Sequence, residues 1–594
     1  MAYNILAVNP GHNGAAALLS DGEVVYYLEE ERLSRLKYDG NPFRAILDIV
    51  SKWHVDEIVI GGTSGQLPQL PWTGEDPYTA LVRKFYPDVK SVNLGNEHHL
   101  GHAACAFYNS GFDKAIILVV DGAGSYRVEQ LDEEGKVKAE GFETESLWVG
   151  SIETPHIFDL LYKVYGNNTG IKTSNGRLEF DNAVTVTKAY EAVSHYLGFG
   201  FIEAGKTMGL APYGKESSEI PPMFVSNRGS KDIFVPSYPA GAFIDTARFP
   251  HLQQKNDPRE WHTDPSSLSE IEKDIAWRVQ QDTQRIVGDY IDLAVRSTGI
   301  KKVAIAGGYG LNCVANYYFR KRFPDVEFYC EPIAHDGGTT IGLAKMAWYQ
   351  NEGSKTLPTS PQTSIYYGPT YSKESVQSVL DSNKDKIKIK TVTTEDIAKL
   401  IEEKNIVALY QGRSEAGPRA LGNRSILYDP RDINGKEIVN KVKGREWFRP
   451  FAGTILKEHA NDWFDMAGME ESPFMMYAVN VAADKISEIP CITHVDDTCR
   501  VQTVTIEQNF HYYNLIQEFY KLTGVPVLFN TSFNLAGEPL VEKIEDALDA
   551  LYNSELKYLY LPELEVLVTK TIEDPVKNKK VNSIDELSDI IITD

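Results

Sequence analysis

Cysteine is scarce and scattered in this chain. Its 594 residues include five, at Cys105, Cys313, Cys330, Cys491 and Cys499. An odd number at wide spacing argues against a disulfide framework, and no two form the Cys-x-x-Cys pair of a zinc ribbon. A reducing compartment is expected. No continuous apolar run reaches the length of a membrane-crossing helix, so no membrane partner is expected. Met1 to Gly14 lacks the basic segment, apolar core and small-residue site of a secretory leader, which points to a cytoplasmic location. Positive charge is also short. Against 83 Asp and Glu stand 60 Lys and Arg, a formal net charge of −23 that opposes broad attraction to nucleic acid or to an acidic membrane.

What is present is length enough for two or three domains, in an ordinary globular composition. Tyr3 to Val8 reads as a buried strand, followed by Asn9-Pro-Gly-His-Asn-Gly14 and a second strand from Ala15 to Leu19. Asp21-Gly22 suits a tight hairpin turn into a returning strand from Glu23 to Leu28. A similar order recurs: the apolar strand Ala115 to Val120, the turn Asp121-Gly-Ala-Gly124, then a hairpin turning at Glu134-Gly135. Two such units resemble the duplicated α/β arrangement of actin, sugar kinases and Hsp70, in which paired subdomains grip a nucleotide and a metal. Glycine turns after strands also occur in other α/β folds. Helices are expected over 182–197 and 268–298, and a third strand–glycine unit begins at Lys302. Residues 351–362, rich in Ser, Thr, Pro and Gly, read as a linker. The first domain is then 1–350, the second 363–572, and 573–594 a charged tail.

Glu97-His-His-Leu-Gly-His102 spaces His98 and His102 by one helical turn. If Leu100 to Tyr108 is helical, both imidazoles lie on one face. Asp121 ends an apolar strand just before glycines, and Asp336 lies in Ala334-His-Asp-Gly-Gly338, again at a glycine turn. Each has an ordinary reading, because histidine pairs decorate many helices and aspartates favour turns. Taken together, two imidazoles and two carboxylates suit a divalent transition metal with open positions, and iron, zinc and manganese remain equal candidates.

Ala306-Gly-Gly-Tyr-Gly-Leu-Asn312 follows a strand and opens a helix, so its amides can approach a phosphate or ribose, or it is a tight turn only. Gly205-Lys-Thr207 is not a phosphate loop of the Walker type, because the upstream glycine is missing. Gly412-Arg-Ser-Glu-Ala-Gly-Pro-Arg-Ala-Leu-Gly-Asn-Arg-Ser425 is the most distinctive stretch. It offers Arg413, Arg419, Arg424 and Ser425, and guanidinium groups suit bidentate binding of phosphate or carboxylate. Lys443, Arg445 and Arg449 follow among aromatic residues, then Arg500. The turn Phe529-Asn-Thr-Ser-Phe-Asn534 adds Asn530 and Ser532. Two anion sites, a triphosphate and a smaller phosphate, would account for so many cations. A nucleic-acid groove is the rival.

These motifs, in this order from Ile5 to about Thr569, resemble the NodU/CmcH-type O-carbamoyltransferase family. The sharpest are Glu30-Glu-Arg-Leu-Ser-Arg-Leu-Lys37, His98-His-Leu-Gly-His102, Lys206-Thr-Met-Gly-Leu-Ala-Pro-Tyr-Gly214 and Gly417-Pro-Arg-Ala-Leu-Gly-Asn-Arg-Ser425. Arg445-Glu-Trp-Phe-Arg-Pro-Phe451 and Asn530-Thr-Ser-Phe-Asn534 complete the set. The resemblance implies an actin-like domain related to tRNA threonylcarbamoyl-transfer proteins, followed by an α+β YrdC-like domain. It implies that carbamoyl phosphate and ATP, with Mg2+, form carbamoyl-adenylate in the second domain, and that the first passes the carbamoyl group to an acceptor hydroxyl. By the same resemblance, His98, His102, Asp121 and Asp336 hold a divalent metal, Fe2+ by family precedent. His12 is the general base and Lys37 a charge stabiliser. Lys206, Gly307, Gly308 and Asn312 contact the adenylate. Arg413, Arg419, Arg424, Ser425, Lys443, Arg449, Arg500, Asn530 and Ser532 bind carbamoyl phosphate or ATP.

Two departures fall on the acceptor side: His12-Asn13 stands where the family usually reads His-Asp, and Tyr38 replaces a common histidine. Sugars, natural products and hydroxymethylated pyrimidine nucleotides or DNA are the candidate acceptors, the last because 32 tyrosines offer stacking surfaces. A tRNA threonylcarbamoyl transferase and a non-enzymatic actin- or Hsp70-like ATP-binding protein are the competing readings. A monomer or homodimer is expected.

Overall fold

The computed structural model describes residues 2–63, 70, 74–131, 137–153, 157–166, 172–174, 177–179, 185–200, 202–218, 220, 222–226, 234–236, 243–245, 268–351 and 361–571. The Glu134-Gly135 turn, the start of the expected helix at 182–184, most of the expected linker and the charged tail lie outside them. The protein is mixed α/β, and its described residues form two related main sheets and two small ones in the first half and one long sheet in the second.

In the first sheet, β1 (Asn4–Asn9) is central. It pairs antiparallel with β2 (Ala15–Ser20), which pairs with β3 (Glu23–Glu29). On its other side it runs parallel to β4 (Glu57–Ile60), and β4 to β5 (Lys90–Asn93). The β2–β3 turn places Asp21 at φ 46° and Gly22 at φ 90°. Two positive φ values give the turn a twist that matches the strands it joins.

The second sheet repeats this plan. β6 (Lys114–Val120) is antiparallel to strand Val137–Ser151 and parallel to strand Lys302–Ala306, which is parallel to Glu327–Cys330. Parallel neighbours need long crossovers, and helices fill them. Helix Thr339–Asn351 lies on β1 and β2, while helix His98–Ser110 lies on β6 and on strand Lys302–Ala306. These two helices pack against each other and form the layer between the sheets. Their crossing is close: a Cβ on Gly342 would sit 2.0 Å from the Gly101 carbonyl oxygen. Only glycine permits that backbone contact. The expected helices appear as Val186–Tyr196 and Glu270–Thr298, the latter opened by a Ser269–Glu272 capping box.

The second half is a ten-stranded mixed sheet. Strands Val407–Tyr410, Arg424–Tyr428, Val527–Ser532, Ala452–Leu456 and Thr498–Val504 are its central neighbours. Beside cores of their own, the halves share one. One apolar cluster runs from Ile286 and Tyr290 through Phe199 to Phe448 and Trp463, and the Phe199 and Phe448 rings lie 5.8 Å apart.

The polar part of the seam is built largely from arginines on backbone carbonyls. Arg35 donates to the carbonyls of Leu540 at 2.7 Å and Pro539 at 3.0 Å. Arg413 donates to Val25, Tyr367 and Gly368 at 2.6–2.7 Å. Ion pairs join the halves as well: Lys206 Nζ lies 2.7 Å from both Glu203 Oε1 and Glu446 Oε1, and Arg35 lies 3.7 Å from Asp546. Burial opposes ionisation of Glu446, but Arg449 and Lys206 outweigh it and hold its carboxyl down at about 2.

Two outcomes are expected. Gly342→Val forces a side chain into the helix crossing and costs about 1–3 kcal/mol, read as a lower urea midpoint. Glu446 has its folded value below the free value of 4.5, so its stabilisation is fully present above about pH 4.5 and lost as pH falls toward about 2. Glu446→Gln is therefore less stable than the parent at pH 7, and the gap narrows across that acid window in paired urea titrations.

Candidate functional site

Helix His98–Ser110 starts at His98, so His98 and His102 occupy its first turns on one face. β6 delivers Asp121 at its C-terminal end, and the single turn Asp336–Gly338 delivers Asp336 beside the helix crossing. All four are buried, with ligand atoms within 4.8 Å of one another. His98 Nε2 lies 3.5 Å from Asp121 Oδ2 and 3.6 Å from Asp336 Oδ1. His102 Nε2 is 3.8 Å from Asp336 Oδ1 and 3.2 Å from His98 Nε2. Two imidazole nitrogens aimed at one point between two carboxylates leave room for a shared cation, and the nitrogen–oxygen donor set fits a divalent transition metal.

Electrostatics follow the geometry. Burial opposes a charged imidazole, yet Asp336 and Asp121 raise His98 to about 10. Burial likewise opposes charge on Asp121 and Asp336, and the surrounding histidines drive both well below the usual carboxylate range. His99 faces away, its Nδ1 2.9 Å from Ser146 Oγ, and burial holds it neutral, at about 3.

His12 stands at the open side, its Nδ1 3.6 Å from Asp336 Oδ2 and its side chain 46% exposed. Its loop is fastened to the Lys37 loop: the Gly11 amide donates to the Gly40 carbonyl and the Gly14 amide to that of Asp39. Lys37 is paired with Glu31 at 2.8 Å, and the other Glu31 oxygen accepts from the Tyr38 amide. Glu191 was not anticipated. It pairs with Lys188 at 2.8 Å, lies against Gly122, and feels the charges of Asp121 and His12. A Lys–Glu pair one turn apart on a helix carries no signal of such a place.

The Gly307–Asn312 turn links this cluster to the second half. Gly307 has φ 82°, and a Cβ there would lie 2.4 Å from the Val120 carbonyl oxygen. The Gly308 amide donates to Asp121 Oδ1 at 2.8 Å, and the Leu311 carbonyl accepts from Arg419 at 2.9 Å. Asn312 caps helix Cys313–Arg322 through the Ala315 amide and bonds to Gln280.

Beyond that turn the cations crowd. Burial lowers Arg419 to about 9, with Arg500 and Arg449 adding to the effect. Burial lowers Arg500, Arg445 and Lys443 as well, and repulsion from neighbouring arginines deepens each shift. The Nε atoms of Arg419, Arg445 and Arg500 are buried without a hydrogen-bond partner. Glu446 pairs with Arg449 at 3.3 Å and Lys206 at 2.7 Å, which leaves the group short of negative charge. Lys443 reaches the Ser532 hydroxyl and Asn534 at 3.2 Å each. Arg445, which the sequence offers only as one of many cations, belongs to this group.

The remaining candidates knit backbone together. Arg424 is fully buried, stacked 3.9 Å from the Tyr410 ring, and its guanidinium donates to carbonyls of Gln411, Gly412, Asn423 and Glu542. Ser425 accepts from the Gly422 amide at 3.0 Å, and Asn530 donates to the Ala420 carbonyl at 3.2 Å. Arg413 is held in the seam described above.

Comparison with known proteins bears on both halves. Residues 77–345 match the family model described as carbamoyltransferase N-terminus, and residues 398–570 the one described as carbamoyltransferase C-terminus. Nodulation protein NolNO of Sinorhizobium fredii (strain NBRC 101917 / NGR234) is 30% identical over 92% of this chain and 77% of its own. The 3'-hydroxymethylcephem-O-carbamoyltransferase of Amycolatopsis lactamdurans is 25% identical over 91% of this chain and 95% of its own. The crystal structure of full-length HypF in its phosphate- and nucleotide-bound form aligns with 59% of this chain and 56% of that one, at 13% identity and a TM-score of 0.33. With both family matches in order along the sequence, and relatives similar across most of its length, this chain belongs to the carbamoyltransferase family.

Proposed function

We propose that the chain is an ATP-dependent O-carbamoyltransferase working in two steps, activation at the cation cluster and transfer at the histidine–carboxylate cluster. The observation that carries this reading is the group of buried, mutually repelling cations at the seam, joined by one short turn to Asp121. Such a group is costly when empty, and binding a polyanion offsets that cost. The duplicated front half is then the actin-like unit and the ten-stranded half the YrdC-like unit.

In the first step, water releases inorganic phosphate from carbamoyl phosphate. The resulting carbamate oxygen attacks the α-phosphorus of Mg2+-bound ATP and pyrophosphate leaves, giving carbamoyl-adenylate. Arg419, Arg445, Arg449, Arg500 and Lys443 stabilise the phosphate charge. Lys206, with Glu446, and the Gly307–Gly308 turn hold the adenylate where the halves meet. In the second step, an acceptor hydroxyl attacks the carbamoyl carbon, AMP leaves, and His12 takes the hydroxyl proton. Lys37 balances charge on the acceptor side. His98, His102, Asp121 and Asp336 would hold a divalent ion, iron by resemblance, whose positive charge polarises a phosphate or hydroxyl oxygen. Enclosure at the seam keeps water from the mixed anhydride. Arg413, Arg424, Ser425 and Asn530 serve this site by shaping its backbone. The acceptor is a small-molecule hydroxyl, in line with the name of the cephem relative.

Pyrophosphate release from ATP is expected to require carbamoyl phosphate without any acceptor, and to fall ~100-fold or more in Arg419→Ala. Release that ignores carbamoyl phosphate would sink the reading. His98→Ala is expected to lose bound divalent metal by elemental analysis and to lose transfer, while still releasing pyrophosphate. Metal retained at the parent level would remove His98 from the ligand set.

A further inference from the structure

The motif Glu30-Glu-Arg-Leu-Ser-Arg35 takes no part in the chemistry above, yet its Arg32 is only 3% exposed. Arg32 lies on the short helix Glu30–Ser34 of the first half. Its guanidinium crosses the seam and donates to the carbonyl of Glu415 and, at 2.7 Å, to that of Gly417. Behind it, Glu29 Oε1 lies 3.7 Å from Arg32 and 3.4 Å from His335 Nε2, the residue before Asp336. Arg32 is therefore braced against the turn that carries the metal-site carboxylate.

In front of Arg32 is the loop 415–424, which carries Arg419. The Glu415 carboxylate gathers the far arm of this loop, accepting from the amides of Leu421 at 2.7 Å, Asn423 at 2.8 Å and Arg424 at 3.3 Å. Arg32 holds the near arm by its carbonyls. Gly417, at φ 83°, lies on the backbone before Asp336, where an added Cβ would be 3.0 Å from the Pro332 carbonyl oxygen. Arg419 then reaches the Leu311 carbonyl. The loop that aims Arg419 at the cation cluster is thus seated on the first half at three places.

We propose that Arg32 is a positioning residue for carbamoyl-phosphate activation, although it belongs to the half that performs the transfer. The inference rests on the activation reading of the cation cluster. A planar guanidinium can satisfy two carbonyls at once, and a lysine ammonium in its place keeps the charge but not the fork. Small displacements of a positioned group cost large factors in rate, so loss of the fork is felt at Arg419.

The test uses full-length, metal-loaded protein and carbamoyl-phosphate-dependent pyrophosphate release. Arg32→Lys and Arg32→Gln are compared with Arg35→Gln, which weakens the same seam at the Leu540 and Pro539 carbonyls, away from the loop. Both Arg32 variants are expected to raise the KM for carbamoyl phosphate roughly tenfold or more, with parent metal content, while Arg35→Gln keeps the parent KM. Arg32→Lys keeps the charge beside Glu29 and decides the matter if Arg32→Gln does not fold. A folded Arg32→Lys with the parent KM overturns the inference. So does an Arg35→Gln whose KM rises as far, since seam cohesion alone would then explain both. A parent protein indifferent to carbamoyl phosphate overturns the proposed function first, and this inference with it.

Discussion

The close crossing of two helices governs the layout of the first half. Where Gly101 meets Gly342, backbone touches backbone, and the two sheets share a single helical layer instead of stacking as separate units. The crossing lies at the leading ends of both helices. It brings the histidines of one beside the Asp336 turn that precedes the other, and the end of β6 supplies Asp121 from the side. A wider crossing would separate donors that now lie within 4.8 Å.

Charge is distributed with the same economy. The chain is strongly acidic, yet its cations gather at one place on the seam, where burial and mutual repulsion lower them together. The carboxylates of the histidine–carboxylate cluster gather on the other side of the Gly307–Asn312 turn. One turn thus touches a carboxylate site with the Gly308 amide and the cation group with the Leu311 carbonyl.

Much of this was legible in the residues. Asp21-Gly22 marked the hairpin because few pairs tolerate two positive φ values, and the His98–His102 spacing marked a shared helix face. Asp121 stood out at the end of an apolar strand before glycines, and Asp336 at a glycine turn. The arginine-rich stretch was harder. Arg419 and Arg424 have the same chemistry and similar neighbours in sequence, but one points an unpartnered Nε into the seam while the other spends its donors on carbonyls beneath Tyr410. What separates them is where distant backbone passes, and no local pattern records it. Glu415 and Glu191 were hidden for the same reason: each is an ordinary acidic residue until the fold supplies its amides or its neighbours.

The arginines of the seam have a consequence for how such a protein changes over time. Arg32, Arg35 and Arg413 grip carbonyl oxygens, which every amino acid possesses. Leu540, Pro539 and Val25 present their carbonyls by the course of the chain and not by their side chains. Substitutions on the accepting side that preserve the backbone path leave these bonds intact, so no compensating change is needed opposite. The two halves can diverge in sequence at unequal rates and still fit each other, provided the three guanidinium donors stay where they are.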